Sequence, residues 1–418
     1  MKKIAWVLLL QFVFAVPWEY SLDLGEPLGN VARILGILLL LAAVPAVLQG
    51  GRVRTWAPMH WMVLALYLWL CLTLFWTIDA AATLEKMRAF FQEMMIVWLV
   101  WEFAETPADL RALLRAFVAG SWVLAALTLV NAVSGVSPEA MAAGQIRFAA
   151  YGQDPNDVAR FLDLGFPLAC LLLRSEARRP WRLLAAGYLP LGFLAVLLTA
   201  SRGGFLAAVV ALAGCIPLLA RGHGRAVLAA VFGLPAVAAA AWLLAPGAVF
   251  DRLATIPAQL AGGDLNQRLN IWSAGWHAFR QAPLAGTGAG TFVSAAGLSP
   301  IDTAHNTALS ILVGGGLFAL CLAACIVTLA VYSVLATSGP LRVALATALL
   351  VWMVTAMVAT VEESRTTWLL MALIALAGRL ASENPRELDQ VFPSFDGPPA
   401  RWPAPGLAAQ PIPSEDPA

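Results

Sequence analysis

Charged residues are scarce in this sequence. Only 12% of the 418 residues are charged, whereas 60% are hydrophobic. Soluble domains carry about 25% charged and about 45–50% apolar residues, so the composition excludes an ordinary soluble protein and predicts an integral membrane protein. The 26 basic and 25 acidic side chains nearly cancel. Net charge therefore provides no basis for binding nucleic acid, and we expect no nucleic-acid partner.

Cysteine and histidine are also few, and they are scattered. The five cysteines all lie in apolar runs, and no CxxC pair or Cys/His cluster occurs. A disulfide framework and a zinc site are therefore not predicted. The segment "GTGAG" (286–290) lacks the lysine of a phosphate-binding loop, which argues against nucleotide binding. We expect no metal and no cofactor, although "EESR" (362–365) leaves a metal-dependent reaction open.

Long apolar runs fill most of the chain. A transmembrane helix needs about 20 apolar residues, and this length predicts an all-α polytopic membrane protein with about twelve transmembrane helices. Their expected positions are about 4–17, 30–49, 59–77, 88–103, 111–133, 157–173, 183–200, 203–220, 225–245, 306–336, 341–360 and 366–381.

Four regions follow from this count. Residues 1–245 hold helices one to nine with short loops, 246–305 form a large loop, and 306–382 hold helices ten to twelve. Residues 383–418 are rich in proline and should form a disordered tail. Within the large loop, Trp272, Trp276 and Phe279 recur at helical spacing and predict an amphipathic helix on the membrane surface.

Basic residues in the loops set the predicted orientation. Lysine and arginine concentrate on one side, particularly in "RSEARRPWR" and "RGHGR". The positive-inside rule places that side and both termini in the cytoplasm. The large loop is then periplasmic. The rule does not explain the arginines assigned to the periplasmic side, which include Arg147, Arg202, Arg252, Arg268 and Arg365.

One of these arginines interrupts the apolar stretch "VLLTASRGGFLAAVV" (196–210). The helix count places Ser201 and Arg202 in a tight turn at the membrane surface. Arg202 could be an interfacial anchor whose guanidinium reaches the headgroups, or it could bind an anionic ligand. Gly203 and Gly204 would allow close approach of a ligand or of another helix.

A histidine stands at the predicted outer mouth of helix ten, in "DTAHNTALS" (302–310). His305 could be a solvated residue beside a helix cap formed by Asp302 or Thr303. It could equally be a proton acceptor, because neighbouring arginines would hold the imidazole neutral. Arginines bind phosphate through paired hydrogen bonds. The combination therefore predicts proton transfer on a phosphorylated substrate.

Three segments in fixed order carry a family resemblance. They are "SRGGFLAAVVAL", "RLNIWSAGWHAFRQAPLAGTGAGTF" and "AHNTALSILVGGGLFAL", supported by "FAVPWEYSLDLG" and "GQDPNDVARFLDLGFPLA". Together they resemble the O-antigen ligase and polymerase superfamily of bacterial polytopic glycosyltransferases, and O-antigen ligases most of all, over about residues 1–380. One departure is the glycine run Gly314 to Gly316, where relatives often carry a glutamate.

The resemblance implies a GT-C-like fold and a metal-independent, inverting glycosyl transfer at the periplasmic face of the bacterial inner membrane. The donor would be a glycan on undecaprenyl diphosphate, and the acceptor the lipid A–core of lipopolysaccharide. His305 would be catalytic, and Arg202, Arg268 and Arg147 would bind the diphosphate. We expect a monomer in contact with membrane lipids. The supporting residues would be Asn306, Asp302, Ser201 and Arg365, the first two orienting the imidazole.

Alternatives remain within and outside this family. A repeat-unit polymerase would use a second lipid-linked glycan as acceptor, and some relatives glycosylate pilins. A polysaccharide or lipid transporter is a different class. Transporters typically place ionisable residues near the middle of the membrane, whereas here the unusual charges are predicted at one face.

Overall fold

The protein is all-helical. The computed structural model describes residues 1–25, 29–135, 146–220, 239–240, 242–243, 245–263, 265, 267–299 and 302–395. Helices account for 78% of it, and no β-strand occurs in these ranges. The prediction of an all-α protein is therefore confirmed. Most of the proline-rich tail lies outside the described residues.

The structure describes sixteen α-helices. The first eight are α1 Lys2–Ala15, α2 Val31–Gly50, α3 Pro58–Leu72, α4 Ala80–Phe103, α5 Pro107–Val133, α6 Pro155–Ser175, α7 Arg179–Leu198 and α8 Arg202–Ala220. Then come α9 Gly247–Ala254, α10 Ile256–Leu260, α11 Arg268–Gln281, α12 Phe292–Ala296, α13 Thr307–Ala336, α14 Gly339–Ala356, α15 Arg365–Glu383 and α16 Pro385–Val391. Two 3₁₀ segments, Val16–Ser21 and Thr73–Phe75, extend α1 and α3.

Eight helices in the described ranges are long and apolar enough to cross a membrane. They are α1 and α3 with their 3₁₀ extensions, α2, α5, α7, α8, α13 and α14. The chain is thus a multi-pass membrane protein, but the predicted number of twelve spans is not confirmed. Three further predicted spans coincide with α4, α6 and α15, which are not among the helices apolar enough to be counted as membrane-spanning. The predicted ninth span, 225–245, lies mostly outside the described residues.

Burial explains why α6 is not apolar. This helix packs against α5, α7, α8 and α14, and its side chains are buried along almost its whole length. Even Asp163 has no exposed surface. A helix must be apolar where it faces lipid, whereas one surrounded by other helices can carry polar residues. Mean hydropathy is therefore a poor guide to whether a helix at the centre of the bundle lies within the membrane.

A break in α13 anchors the loop that follows α11. Gly316 interrupts the helix with φ 70° and ψ −171°. The loop lies against this break, because Thr287 N donates to Val313 O (2.9 Å) and Gly288 N donates to Gly314 O (3.0 Å). The loop thus satisfies carbonyl groups that the helix leaves without partners.

Only glycine allows the two backbones to come this close. A Cβ atom added at Gly316 would lie 2.2 Å from Leu284 O, and one at Gly286 would lie 2.4 Å from Gly314 O. Both glycines also have positive φ. The "GTGAG" segment and the glycine run of α13 are therefore two sides of one packing contact.

Substitution of Gly316 by alanine should destabilise the protein through this contact. The backbone of Gly316 lies in a region that essentially only glycine adopts and that costs other residues about 1–3 kcal/mol, and the clash with Leu284 O adds to it. Gly51→Ala is the matched control, because Gly51 has φ 65° but no atom within 4 Å of an added Cβ. We expect Gly316→Ala to lower the unfolding temperature in detergent clearly more than Gly51→Ala. Equal decreases would contradict the docking of the loop.

Candidate functional site

The turn between α7 and α8 forms the base of the site. It consists of residues 199–201, and Ala200 adopts a left-handed conformation with φ 48°. The buried Ser201 hydroxyl accepts a hydrogen bond from Gly204 N (3.1 Å) and donates one to Asn156 Oδ1 (2.8 Å). Arg202 is the first residue of α8. The guanidinium consequently sits at a helix end, as the sequence predicts.

Two arginines hold the carbonyl groups of this turn. Arg147 Nε donates to Thr199 O (3.0 Å), and its Nη2 donates to Asn156 Oδ1 (2.7 Å). Arg252 Nε donates to Ala200 O (3.0 Å). The last carbonyls of a helix have no partner within it and favour cations. The end of α7 thus fixes both guanidiniums in place.

A further arginine, Arg268, is the first residue of α11. The packing of α11 against α12 and α13 sets its orientation. The buried face contains Ile271, Gly275 and Phe279. Trp276, part of the predicted aromatic stripe, is 49% exposed. Gly275 lies against Phe292 and leaves no space for a larger side chain, so this face is held against the protein. That the aromatic stripe lies on the membrane surface stays a prediction.

These elements enclose one pocket of about 370 Å³. Its polar lining includes four guanidiniums and an imidazole, those of Arg147, Arg202, Arg252, Arg268 and His305. None of the described residues that line it is acidic. In the described part of the chain, no three His, Cys, Asp or Glu side chains are grouped so that they could hold a metal ion. The pocket is thus suited to an anion.

The arginines lower one another's affinity for a proton. Burial, together with Arg252, Arg202 and Arg268, lowers the pKa of Arg147 to about 10, although Asp154 partly opposes this. Burial and the charge of Arg202 also lower the pKa of Arg252 and of Arg268. All remain protonated at neutral pH. An anionic ligand would be stabilised by this positive charge.

His305 lies at the edge of this group of charges. The segment before it is held by Trp272 Nε1, which donates to Ala304 O (3.1 Å). His305 itself has φ 46°, and its Nδ1 lies 3.3 Å from Thr303 Oγ1. Burial, and secondly the charge of Arg268, lower the pKa of His305. The imidazole is therefore neutral at pH 7 and available to accept a proton.

The predicted orienting residues have other partners. Asn306 is the N-cap of α13, because its Oδ1 accepts a hydrogen bond from Leu309 N (2.9 Å). The prediction that Asp302 or Thr303 would be this cap is wrong. The Asp302 carboxylate accepts a hydrogen bond from a backbone amide and influences His305 only through its charge. Among the described residues, Thr303 is the one hydrogen-bond partner of the ring.

Arg365 lies outside the pocket. It forms an ion pair with Glu19 in the 3₁₀ segment, and its Nη2 donates to Gln92 Oε1 (3.0 Å). The four other predicted basic residues, Arg147, Arg202, Arg268 and His305, all line the pocket. The structure thus brings together the main predicted group and separates Arg365 from it.

The two glycines after Arg202 have different surroundings. A Cβ at Gly204 would lie 2.3 Å from Ala159 Cβ, so this glycine allows α8 to pack against α6. Gly203 lines the pocket, and its added Cβ would lie 3.1 Å from Val358 Cγ2. Of the two alternatives, Gly204 serves helix packing and only Gly203 borders the ligand space.

Sequence reasoning assigned no role to Asn156 or Arg252, and considered Thr303 only as a helix cap. Asn156 accepts hydrogen bonds from both Arg147 and Ser201, and so connects two walls of the pocket. The signal for Arg252 was present, because it belongs to the excess of arginines that the positive-inside rule leaves unexplained. Nothing in the local sequence distinguishes Thr303 from a capping residue.

About a third of the chain matches a known protein family. Residues 187–324 match the family described as O-antigen ligase. The matched region contains Arg202, Arg252, Arg268 and His305, whereas Arg147 lies before it. The match confirms the resemblance to the O-antigen ligase and polymerase superfamily and supports a glycosyltransferase that acts on lipid-linked glycans. No curated protein matches the chain.

The pKa of His305 should respond to Arg268. Arg268→Gln removes a positive charge that disfavours the imidazolium, so we expect the pKa to rise towards its ordinary value of about 6.5. NMR titration of histidine-labelled protein measures it, with His305→Gln to assign the signal. Arg280→Gln is the control, because Arg280 is an exposed residue of the same helix that does not line the pocket. An unchanged pKa in Arg268→Gln would contradict the electrostatic coupling.

Proposed function

We propose that the protein is an inverting, metal-independent glycosyltransferase that transfers a glycan from undecaprenyl diphosphate to lipid A–core. The reaction takes place at the periplasmic face of the bacterial inner membrane, as the ligase step of lipopolysaccharide biosynthesis. The observation that carries this proposal is the meeting of four arginines and one histidine in a single pocket, with no acidic side chain among the described residues that line it.

The arginines bind the diphosphate of the donor. A guanidinium forms two parallel hydrogen bonds with phosphate oxygens and keeps its charge. The turn carbonyls that accept from Arg147 and Arg252 hold these groups before the ligand arrives. Arg202 Nη1 donates to Thr255 Oγ1 (3.0 Å), which connects α8 with the segment between α9 and α10. Such preorganised positive charge stabilises a diphosphate leaving group without a metal.

His305 is the general base. The acceptor hydroxyl oxygen attacks the anomeric carbon of the donor sugar while the bond between that carbon and the diphosphate oxygen breaks. The hydroxyl proton passes to Nε2 of His305, and the electron pair of the broken bond leaves with undecaprenyl diphosphate. Nδ1, opposite Thr303, is then the protonated nitrogen of the neutral ring. Attack from the face opposite the leaving group inverts the anomeric centre.

The pocket lies at the ends of the membrane helices, which suits a lipid-linked donor. Arg202 begins α8 and His305 stands two residues before α13, so the charged groups are at the membrane surface. Leu206, Ile256 and Val358 add apolar lining. The diphosphate can bind at the surface while its polyprenyl chain remains in the bilayer. This location also favours surface chemistry over transport, which places ionisable groups near the membrane centre.

Reconstitution with defined acceptors tests the proposal. Purified protein in liposomes would receive an undecaprenyl-diphosphate-linked glycan together with lipid A–core, a second donor molecule, or pilin. We expect the glycan on lipid A–core, with release of undecaprenyl diphosphate. Elongation of the lipid-linked glycan would assign polymerase activity instead, and modified pilin would assign a protein glycosyltransferase. No transfer to any acceptor under conditions that support a known ligase would contradict the proposal.

Removal of the base should abolish turnover while donor binding remains. General base catalysis typically contributes about 10²–10⁴-fold to a rate, so we expect His305→Ala to lower kcat by that factor. At pH values below the lowered pKa of His305, the wild-type rate should decrease, because the imidazole becomes protonated. His277→Ala is the control, because His277 is exposed on α11 and does not line the pocket. Normal turnover of His305→Ala would exclude the general-base role.

Exchange of Arg202 for lysine should also impair transfer. Lysine keeps the positive charge but lacks the planar pair of donors that matches phosphate. Loss of a charge-assisted hydrogen bond costs about 1.5–3 kcal/mol, so we expect kcat/KM to fall by about 10–100-fold. Arg280→Lys is the control, because Arg280 is exposed on α11 and does not line the pocket. A fully active Arg202→Lys variant would identify Arg202 as an interfacial anchor.

A further inference from the structure

A second cavity lies between α2 and α4, away from the pocket. It has a volume of about 270 Å³, and no residue that lines it also lines the pocket. Its walls are Gly36, Ile37 and Leu40 of α2 and Phe91, Met95 and Leu99 of α4, among others. Phe12 of α1 forms the floor. We call it the α2–α4 groove.

The groove is open towards the lipid side of the protein. Ile37 and Phe91, one from each wall, are 52% and 41% exposed. The outward face of α2 continues this surface, with Leu41 66% exposed. Ile37 and Leu41 belong to α2, which is apolar enough to span the membrane. A hydrocarbon chain can therefore enter the groove from the bilayer.

One end of the groove is polar. Arg33, Gln92 and Arg365 line it there. Arg365 is compensated by its ion pair with Glu19. Arg33 is exposed, and its guanidinium has no hydrogen bond or ion pair to any residue that the structure describes. Arg33 is thus the guanidinium at this end that is available to an anion.

This polar end is at the same end of the bundle as the pocket. Asp79, the N-cap of α4, accepts a hydrogen bond from Ser294 Oγ (2.9 Å), in the region that leads to His305. Arg33 lies in the first turn of α2, and Leu40 lies seven residues further into the helix. At 1.5 Å per residue the groove extends about 10 Å from the charge towards the membrane interior. A charged end and an apolar length are the two parts of a phospholipid.

We propose that the α2–α4 groove binds one anionic phospholipid of the bilayer. The phosphate lies on Arg33 and the amide nitrogen of Gln92, and one acyl chain lies against Gly36 and Phe12. Gln92 is available for this because its Oε1 accepts the hydrogen bond from Arg365, which leaves the amide N–H groups as donors. The site is independent of the transfer reaction.

The alternative is that Arg33 only reaches towards the lipid headgroups, which would explain Arg33 but not the groove. That role requires no groove, so a change deep in the apolar part would have no effect on a lipid at Arg33. Gly36 separates the two explanations. An added Cβ there would lie 3.5 Å from Phe12 Cε2, which is ordinary contact, so a small side chain is tolerated while a large one fills the groove.

Native mass spectrometry of the purified full-length protein tests the proposal, with phosphatidylglycerol added at increasing concentration and phosphatidylcholine for comparison. We expect the wild type to retain one phosphatidylglycerol in preference to phosphatidylcholine. Arg33→Gln and Gly36→Phe should each weaken this binding by about tenfold or more. Each has a matched control, since Arg88 is exposed on α4 outside the groove and Leu41 is exposed on α2 outside it. Arg88→Gln and Leu41→Phe should bind as the wild type does.

Three outcomes would overturn the proposal. Equal retention by Arg33→Gln and the wild type would remove the phosphate contact. Equal retention by Gly36→Phe, with an unfolding temperature close to the wild type, would show that no chain enters the groove. Specific retention of undecaprenyl phosphate in place of phosphatidylglycerol would assign the groove to the lipid of the donor instead.

Discussion

The site depends on a contact between two backbones that only glycine permits. The loop after α11 lies against the break in α13 at Gly316, and hydrogen bonds between main-chain groups hold it there. Arg268 precedes this contact on α11, and His305 precedes it on the segment that enters α13. One contact therefore restrains both the segment that carries Arg268 and the segment that carries His305. The glycine run that departs from the family pattern has this structural role.

The pocket also has to hold four like charges close together. Burial makes this unfavourable, and it is the first cause of the lowered pKa of Arg147, Arg252 and Arg268. Carbonyl groups at the end of α7 accept hydrogen bonds from Arg147 and Arg252 and stabilise their charges, and Asp154 opposes the decrease in the pKa of Arg147. A carboxylate in these positions would neutralise the ligand-binding charge. Carbonyl groups orient the arginines and leave that charge for an anion.

Local patterns in the sequence predicted much of this arrangement. The tight turn before Arg202, a helix beginning near Arg268 and the position of His305 before α13 all follow from apolar periodicity and its interruptions. The patterns failed where packing decides the outcome. Arg365 is ion-paired with Glu19 across 346 positions of the chain, and no local feature distinguishes it from Arg252. Packing also decides the environment of α6, because neighbouring helices, and not the hydropathy of its own sequence, keep its charged residues away from lipid.

The sequence by itself determined that the protein is an all-helical membrane protein and that unexplained arginines gather in the loops of one side. Both properties are local, because the cost of placing charge in lipid applies residue by residue. Only the tertiary structure decided which of these residues meet. Asn156 joins Arg147 to Ser201 because α6 and α8 pack together through Gly204, where no side chain intervenes. Convergence of distant residues is a consequence of helix packing, and no short stretch of sequence contains that information.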